Sequence, residues 1–596
     1  MSIERPAGQD VSSPRDSAGA HAGAWDSEGK AVKVKTGVIG GKRPNSASHG
    51  GGIRGDQLGT RSSLYEGRFG RMFRSLPPAQ WSREALFNLG RAMTADPETA
   101  ENDPTLPAAA LEDPAERIHD DEENAGIAAG YTYFGQFIDH DITFDPASSL
   151  QQQNDPEALV DFRTPRLDLD SVYGRGPADQ PYMYVGRKFR LGRPLFELDQ
   201  PTHVRDLPRY DEQSADQPKR ALIGDKRNDE NVIVSQFHAA ILQFHNKLVD
   251  AHPTASFEDV QRLVRWHYQW LVINDFLPTI CGNDVVDELL PHRGSTRPVW
   301  EKNPRLQFFK WKNEPFMPIE FSAAAYRFGH SMVRPIYRLN TRLNGGDDPL
   351  TPTPAEIARG LAGRFFIFAG VHERGLNGFD SFPHRWAIDW SLFFDINGSL
   401  KNTGTKRVQP AYKIDTSLVN PLGFLPEFSR IVPGTPPLTV KQLQAEPLDP
   451  NLEPANLAVR NLLRGMALGL PSGQAVACAM GLQPIDDDNL RVGKAVVGDW
   501  EANKKIAELD DAFEGNAPLW YYVLAEAQYE WHKRASGFGG KGDATPLRLG
   551  SVGGRLVAET LIGLVLGDGH SYLRQVPNWQ PPAIRTIGGL IDVALR

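Results

Sequence analysis

The chain has 596 residues, 40% of them hydrophobic and 23% charged, which is ordinary globular usage and more than one small core requires. Its 65 Lys and Arg against 74 Asp and Glu give a formal net charge of -9, which offers no electrostatic footprint for a nucleic-acid partner. Two cysteines exclude both a disulfide framework and a cysteine-rich metal site.

The opening 60 residues hold 12 of the 56 glycines and neither Phe nor Tyr, too little apolar surface to offset their ordering entropy. They read as a flexible tail, residues 1–60, ahead of one large domain, residues 61–596, with no repeat period. The N-terminal MSIERPAGQD lacks the apolar core of a secretory signal. The longest apolar runs, such as Phe365–Val371 and Thr560–Leu566, fall far short of the roughly 20 residues that a spanning helix needs. The expectation is a soluble protein with no membrane span, either cytoplasmic or secreted by a route that needs no such signal.

Ser82 ahead of Ala85, Leu86 and Leu89 predicts a capped helix start. Asp229–Ala251 carries Val232, Ile233, Phe237, Ile241, Leu242, Phe244, Leu248 and Val249 at helical spacing. Phe257–Leu277, Ala455–Leu470 and Leu519–His532 read as helices, and Ser472 as the N-cap of Gln474–Met480. Pro-rich connections at Thr351–Pro354, Pro433–Pro437 and Asp449–Pro454 separate helices. The predicted fold is mainly α: a single helical domain with long irregular loops and few short strands.

Five segments carry polar residues in patterns that suggest chemistry. Gly130–Asp145 reads GYTYFGQFIDHDITFD; as a helix it puts Gln136 and His140 on one face, with Asp139 and Asp141 flanking the histidine. Taken alone it reads rather as a hydrogen-bonded core histidine with solvated acids. Thr164–Gly174, TPRLDLDSVYG, alternates Thr164, Arg166, Asp168 and Asp170, oxygen-rich enough for a hard cation such as Ca²⁺, or else a polar strand edge. Gly224–Glu230, GDKRNDE, places Arg227 near a helix N-terminus, where developing negative charge is favoured, or in a surface ion network. Tyr326–His330, YRFGH, ends on a lone histidine that by itself suits core packing. Ala458–Arg464, AVRNLLR, puts Asn461 and Arg464 one turn apart, as on any polar helix face.

In this order the five segments resemble the animal-type haem peroxidases, the group of myeloperoxidase and lactoperoxidase, over roughly Tyr65 to the C-terminus. GQFIDHD is similar to the family's distal-histidine helix, GDKRNDE to its catalytic-arginine segment, RFGH to its proximal-histidine motif and LDLDSVYG to its calcium loop. The resemblance implies haem b bound through His330, with Asn461 accepting the other ring N–H. It implies His140 as the distal acid–base group, Arg227 as its charge stabiliser and Gln136 as the residue orienting distal water or halide. Arg327 and Arg464 match residues near the haem propionates. Asp139 and Glu230 match carboxylates that become esters to the haem methyls. Asp141, Thr164, the Arg166 carbonyl, Asp168 and Asp170 match a Ca²⁺ site that ties the distal helix to a distant loop. Asn231 stands where myeloperoxidase has a methionine bonded to haem, so no sulfonium link is expected. After Asn461, LLRGMALGLP departs from the family's charged pattern, and the scarcity of cysteine suits a bacterial-type branch.

The activity so implied is hydrogen peroxide reduction coupled to oxidation of a small donor: a phenol, an aromatic amine or a halide. Fatty-acid dioxygenases share the scaffold but commonly carry a tyrosine three residues before the proximal histidine, whereas Tyr326 is four before His330. A peroxinectin-like adhesion protein is suggested by Arg54-Gly55-Asp56 and Lys541-Gly542-Asp543, tripeptides that arise readily by chance. A haem-free hydrolase using His140 would need a second ligand histidine nearby and lacks one. His238, His245 and His267 read as satisfied packing histidines, and Cys281 and Cys478 as buried thiols.

Overall fold

The structure is a computed structural model. It describes residues 67–596 except 96–101, 104–105, 108–121, 145–159, 162, 211–218, 296–302, 312–313, 344–363, 368–374, 404–405, 424, 426–453, 497–499 and 538–545. The proposed tail, both adhesion-like tripeptides and the Pro-rich connections at Thr351–Pro354 and Pro433–Pro437 lie outside the described residues.

Helices dominate, and the strands are short. Eight helices organise the core: α1 (Arg83–Ala92), α2 (Gly130–Ile142), α3 (Val232–Ala251), α4 (Phe257–Leu271), α5 (Leu457–Ala467), α6 (Leu519–Gly537), α7 (Ser551–Gly567) and α8 (Ile587–Leu595). The expected caps form: Ser82 accepts from Ala85 N, and Ser472 accepts from Ala475 N. The long periodic helix begins later than the apolar pattern suggested, because Asn231 takes the N-cap and accepts from Ile233 N and Val234 N. The Phe257–Leu277 pattern divides: α4 ends at Leu271, a π turn spans Val272–Phe276, and a short helix follows over Leu277–Cys281. α7 was not among the expected helices. From Val552 to Val565 every residue but Arg555 is buried, so it shows no polar stripe by which a 3.6-residue period could be read.

α3 is the central rod. Phe237 and Phe244 are fully buried, each worth roughly 1.5–3 kcal/mol of apolar burial, and α2, α4 and α8 pack around it. α6 and α7 pack on each other and on the short helix Ala325–His330, while α5 bridges α1 and α6. The largest sheet has three strands: Gly67–Gly70 runs parallel to Met317–Pro318 and antiparallel to Val160–Asp161. A second pair, Glu123–Ala128 against Pro410–Tyr412, delivers the chain into α2.

That entry is tight. Gly130 N donates to Phe393 O at 2.9 Å, and a Cβ at Gly130 would lie 2.3 Å from the Phe394 ring. Gly130→Ala should therefore lower stability by about 1–3 kcal/mol through overpacking, read as a fall in the midpoint of thermal unfolding.

Candidate functional site

α2 sorts its polar residues by helical geometry. Gln136, Asp139 and His140 fall within one third of the helix circumference, whereas Asp141, 100° on, faces the loop that contains Asp168 and Asp170. The two acids that flank His140 in sequence thus serve separate places.

The segment after Gly224 supplies the second wall. Asp225 caps the 3-10 turn Lys226–Asp229 by accepting from Arg227 N at 2.9 Å. Asn228, buried in that turn, meets His140: its Oδ1 lies 2.9 Å from His140 Nδ1. An amide oxygen only accepts, so Nδ1 carries the ring proton and Nε2 keeps a lone pair. Burial, then the positive charge of Arg227, pushes the His140 pKa down to about 4, leaving a neutral imidazole. Its Nε2 is 3.8 Å from Glu230 Oε1, and Glu230 takes a hydrogen bond from Gln136 Nε2. Gln136 Oε1 in turn accepts from Asn231 Nδ2 at 3.2 Å. The same loop is locked from outside: Gly378 N donates to Glu230 O, and a Cβ there would lie 1.8 Å from Asp229 O.

Arg227 closes the end of α2. Its Nη2 donates to the carbonyls of His140 (3.0 Å) and Thr143 (2.7 Å) and to Asp225 Oδ2 (2.8 Å), and the guanidinium lies over Phe144. A cation at the negative end of a helix is favourably placed. Burial alone would raise Asp225, but Arg227 and Arg163 outweigh it and hold that carboxyl far below its ordinary range.

The third wall is the 3-10 helix Ala325–His330. His330 Nδ1 is 2.8 Å from the carboxamide of Asn461 on α5, whose Oδ1 accepts from Arg327 Nη1 at 3.2 Å. Burial, then Arg327, pushes the His330 pKa down to about 3; burial, then the neighbouring Arg464, brings Arg327 down to about 10. The chain beyond the histidine is pinned by Ser331, which donates to Lys413 O at 2.6 Å and accepts from Asp415 N at 2.9 Å. Tyr326 turns elsewhere: its hydroxyl donates to Gly135 O of α2 at 3.2 Å, and its ring stacks on Phe321.

Gln136, Asp139, Glu230, Arg327 and His330 remain partly accessible although the residues around them are sealed, and a Cβ on Gly329 would meet nothing within 4 Å. These residues lie on α2, on the turn before α3 and on the 325–330 helix. Two imidazoles, His140 and His330, are kept neutral by burial, and Arg327, Asp139 and Glu230 lie among the same partly accessible residues.

Asp141 meets the second candidate site. Oxygens of Asp141, Asp168 and Asp170 lie within 4.8 Å of one another. Asp141 accepts from Leu169 N and Ser171 Oγ, and Asp168 from Thr164 Oγ1 at 2.8 Å. Leu169 adopts φ 58°, a left-handed conformation uncommon for a branched side chain, where the loop bends around the acids. Burial, then Asp168 and Asp170, raises the Asp141 pKa well above its ordinary value; burial raises Asp168 also, and Asp170 reaches about 7. Such destabilised carboxylates are what a divalent cation relieves. Arg166 donates its N–H to Thr164 O within the same loop.

Residues 148–353 match the profile of the animal haem peroxidase family. This stretch of the chain belongs to that family. It contains the acidic loop, Arg227 and His330; α2 and α5 lie outside it. Similar curated proteins include the dual oxidase of Drosophila melanogaster, 27% identical over 218 residues, or 34% of this chain and 13% of that protein. The chorion peroxidase of Aedes aegypti is 26% identical over 200 residues, 32% of this chain and 24% of that protein. Rat (Rattus norvegicus) thyroid peroxidase is 29% identical over 130 residues, 20% of this chain and 13% of that protein. The matched regions thus span a quarter or less of these relatives' lengths. Among solved structures, peroxidase A from Dictyostelium discoideum aligns with TM-score 0.45 at 14% identity, covering 82% of this chain and 89% of that one. A fatty acid alpha-dioxygenase of Arabidopsis thaliana aligns with TM-score 0.45 at 13% identity, covering 84% and 74%.

All five motif segments contribute residues to the two candidate sites. Sequence reasoning missed Asn228, Ser171 and Arg163, which pairs with Asp225 at 2.6 Å. Asn228 and Ser171 sat inside quoted motifs, but an uncharged side chain gives no sign of its partner before the chain is folded. Two expectations are corrected. Cys478 is exposed, on the outer side of the helix Gly473–Ala479, while Cys281 is buried. His238 is buried without a hydrogen-bond partner among the described residues, whereas His245 bonds Tyr173 and Arg187, and His267 bonds Leu263. Histidine-selective ¹⁵N NMR should show His140 as the Nδ1–H tautomer, titrating near pH 4 in place of the ordinary 6.5.

Proposed function

We propose that the chain binds haem b between α2 and the 325–330 helix and reduces hydrogen peroxide while oxidising small donors such as phenols, aromatic amines or halides. The observation that carries this reading is His140: neutral, with its Nε2 lone pair turned inward and its Nδ1–H held by Asn228. Bound haem supplies the two-electron redox chemistry that no side chain here provides.

His330 would hold the group's metal through a ring nitrogen. For that, the Asn461 carboxamide, whose Nδ2 now lies 2.8 Å from His330 Nδ1, would exchange its two ends to present Oδ1 to His330 Nδ1–H, giving up the bond from Arg327 Nη1 and freeing Nε2. His140 Nε2 would take the proton from one peroxide oxygen and return it to the departing one, a task worth about 10²–10⁴-fold in rate. Gln136, already between Glu230 and Asn231, would orient water or halide beside it. Arg227 contributes positive charge next to the distal imidazole while its Nη2 holds the end of α2. Arg327 and Arg464 are cations suited to propionates. Asp139 and Glu230 stay partly accessible, which supports ester attachment to the haem; Asn231 is committed to capping α3, in keeping with no third link.

The dioxygenase reading is disfavoured by geometry. In a 3-10 helix residues three apart eclipse one another, so Tyr326 lines up with Gly329, not His330, and its hydroxyl is engaged by Gly135. Among the described residues no helix is long and apolar enough to cross a membrane.

The decisive measurement is an absorption spectrum of the protein from haem-fed cells, before and after acid–acetone extraction. A Soret band that resists extraction is expected, lost in His330→Ala. His140→Leu should keep the band and slow the reaction with peroxide about 10²–10⁴-fold. A colourless wild type would refute the reading.

We further propose Ca²⁺ at Asp141, Asp168, Asp170, Thr164 and the Arg166 carbonyl, holding His140 in place through α2. Added Ca²⁺ at a hundredfold excess over its dissociation constant should raise stability by about 2.7 kcal/mol. Because Asp170 titrates near 7 without the ion, protons compete below that pH, so affinity should rise from acid to mildly alkaline solution. Isothermal titration at two pH values, with Asp170→Asn as the weakened control, checks both.

A further inference from the structure

His238 on α3 has no part in the chemistry above. It is fully buried, its ring edge-on to Phe137 of α2 with centroids 6.0 Å apart. Neither Nδ1 nor Nε2 has a hydrogen-bond partner among the described residues. A neutral imidazole has one donor and one acceptor, and leaving each buried and unpaired is destabilising. A second buried group without a hydrogen-bond partner among the described residues is Nδ2 of Asn228, the residue whose Oδ1 holds His140. Ser235, three residues before His238 and on the same helix face, donates to Asp229 at 3.1 Å, so this face looks onto the 225–229 turn. The Asp225 carboxylate and the His140 ring both act electrostatically on His238.

We propose that internal water bridges the His238 ring and the Asn228 carboxamide, making His238 a positioning residue for the distal imidazole. A buried water needs two to four polar partners, and these groups supply them. Water accepting from Asn228 Nδ2–H polarises the amide and enriches Oδ1. The bond to His140 Nδ1–H then strengthens, and His140 Nε2 becomes the better base. The hydrogen-bond chain therefore runs from Nε2 through Asn228 and solvent to α3. A leucine or phenylalanine at 238 would fill the space without the cost of two unpaired nitrogens, but it would leave Asn228 Nδ2 alone.

The kinetic part of this inference rests on the peroxidase reading; the structural part does not. A crystal structure of the full chain, at a resolution that shows ordered solvent, should contain water within hydrogen-bond distance of both a His238 nitrogen and Asn228 Nδ2. A dry site overturns the proposal, with or without haem. In the haem-loaded protein, His238→Leu should leave the Soret band in place and slow the reaction with peroxide about tenfold or more. His238→Gln, which keeps a donor and an acceptor, should recover most of that loss. An unchanged rate in His238→Leu together with a higher unfolding temperature assigns His238 to packing alone and ends the proposal. A wild type that does not react with peroxide at all counts against the peroxidase reading instead, and the ordered water still decides this one.

Discussion

The register of α2 depends on one buried carboxylate. Asp141 is fully buried beside Asp168 and Asp170, and it accepts from Leu169 N and Ser171 Oγ. Because consecutive helical residues point 100° apart, fixing Asp141 against the acidic loop also fixes which way His140, Asp139 and Gln136 face. Arg227 then clamps the C-terminal carbonyls of the same helix. The distal face is held from behind and from its end by groups that point away from it.

Burial does the electrostatic work on the inner side. His140 and His330 are both pushed well below the ordinary imidazole range by desolvation first and a neighbouring arginine second. A neutral imidazole is what either a proton acceptor or a metal ligand requires, and here it needs no carboxylate partner. The cost falls on the surrounding fold, which must keep water from solvating a charged ring while leaving neighbouring residues partly accessible. Asn228 and Asn461 resolve part of that conflict by engaging one nitrogen of each ring without adding charge.

Elsewhere buried carboxylates serve as clamps on backbone N–H groups. Glu320 accepts from Met72 N and Phe73 N, Glu526 from Val552 N and Gly553 N at the start of α7, and Glu559 from Gln307, Phe308 and Phe309 N. Glu320 and Glu559 tie segments some 250 residues away in sequence, and Glu526 ties α6 to the start of α7. α6 and α7, held this way, carry the floor on which the 325–330 helix rests.

Sequence alone determined the helical character of α3, α4, α5 and α6, the caps at Ser82 and Ser472, and the residues of the five motifs, because capping and apolar periodicity act within a few residues. It also indicated the family, since several motifs in a fixed order constrain one another. Tertiary structure decided what lies far apart along the chain: that Asn228 holds His140, that Asp141 turns away from Asp139, and that Arg227 spends its donors on helix carbonyls. It alone exposed His238 as unpaired among the described residues, because a histidine on an apolar helix face looks the same in sequence whether or not a partner reaches it. A hydrogen bond between residues 88 positions apart depends on how two elements pack, and no local pattern encodes that.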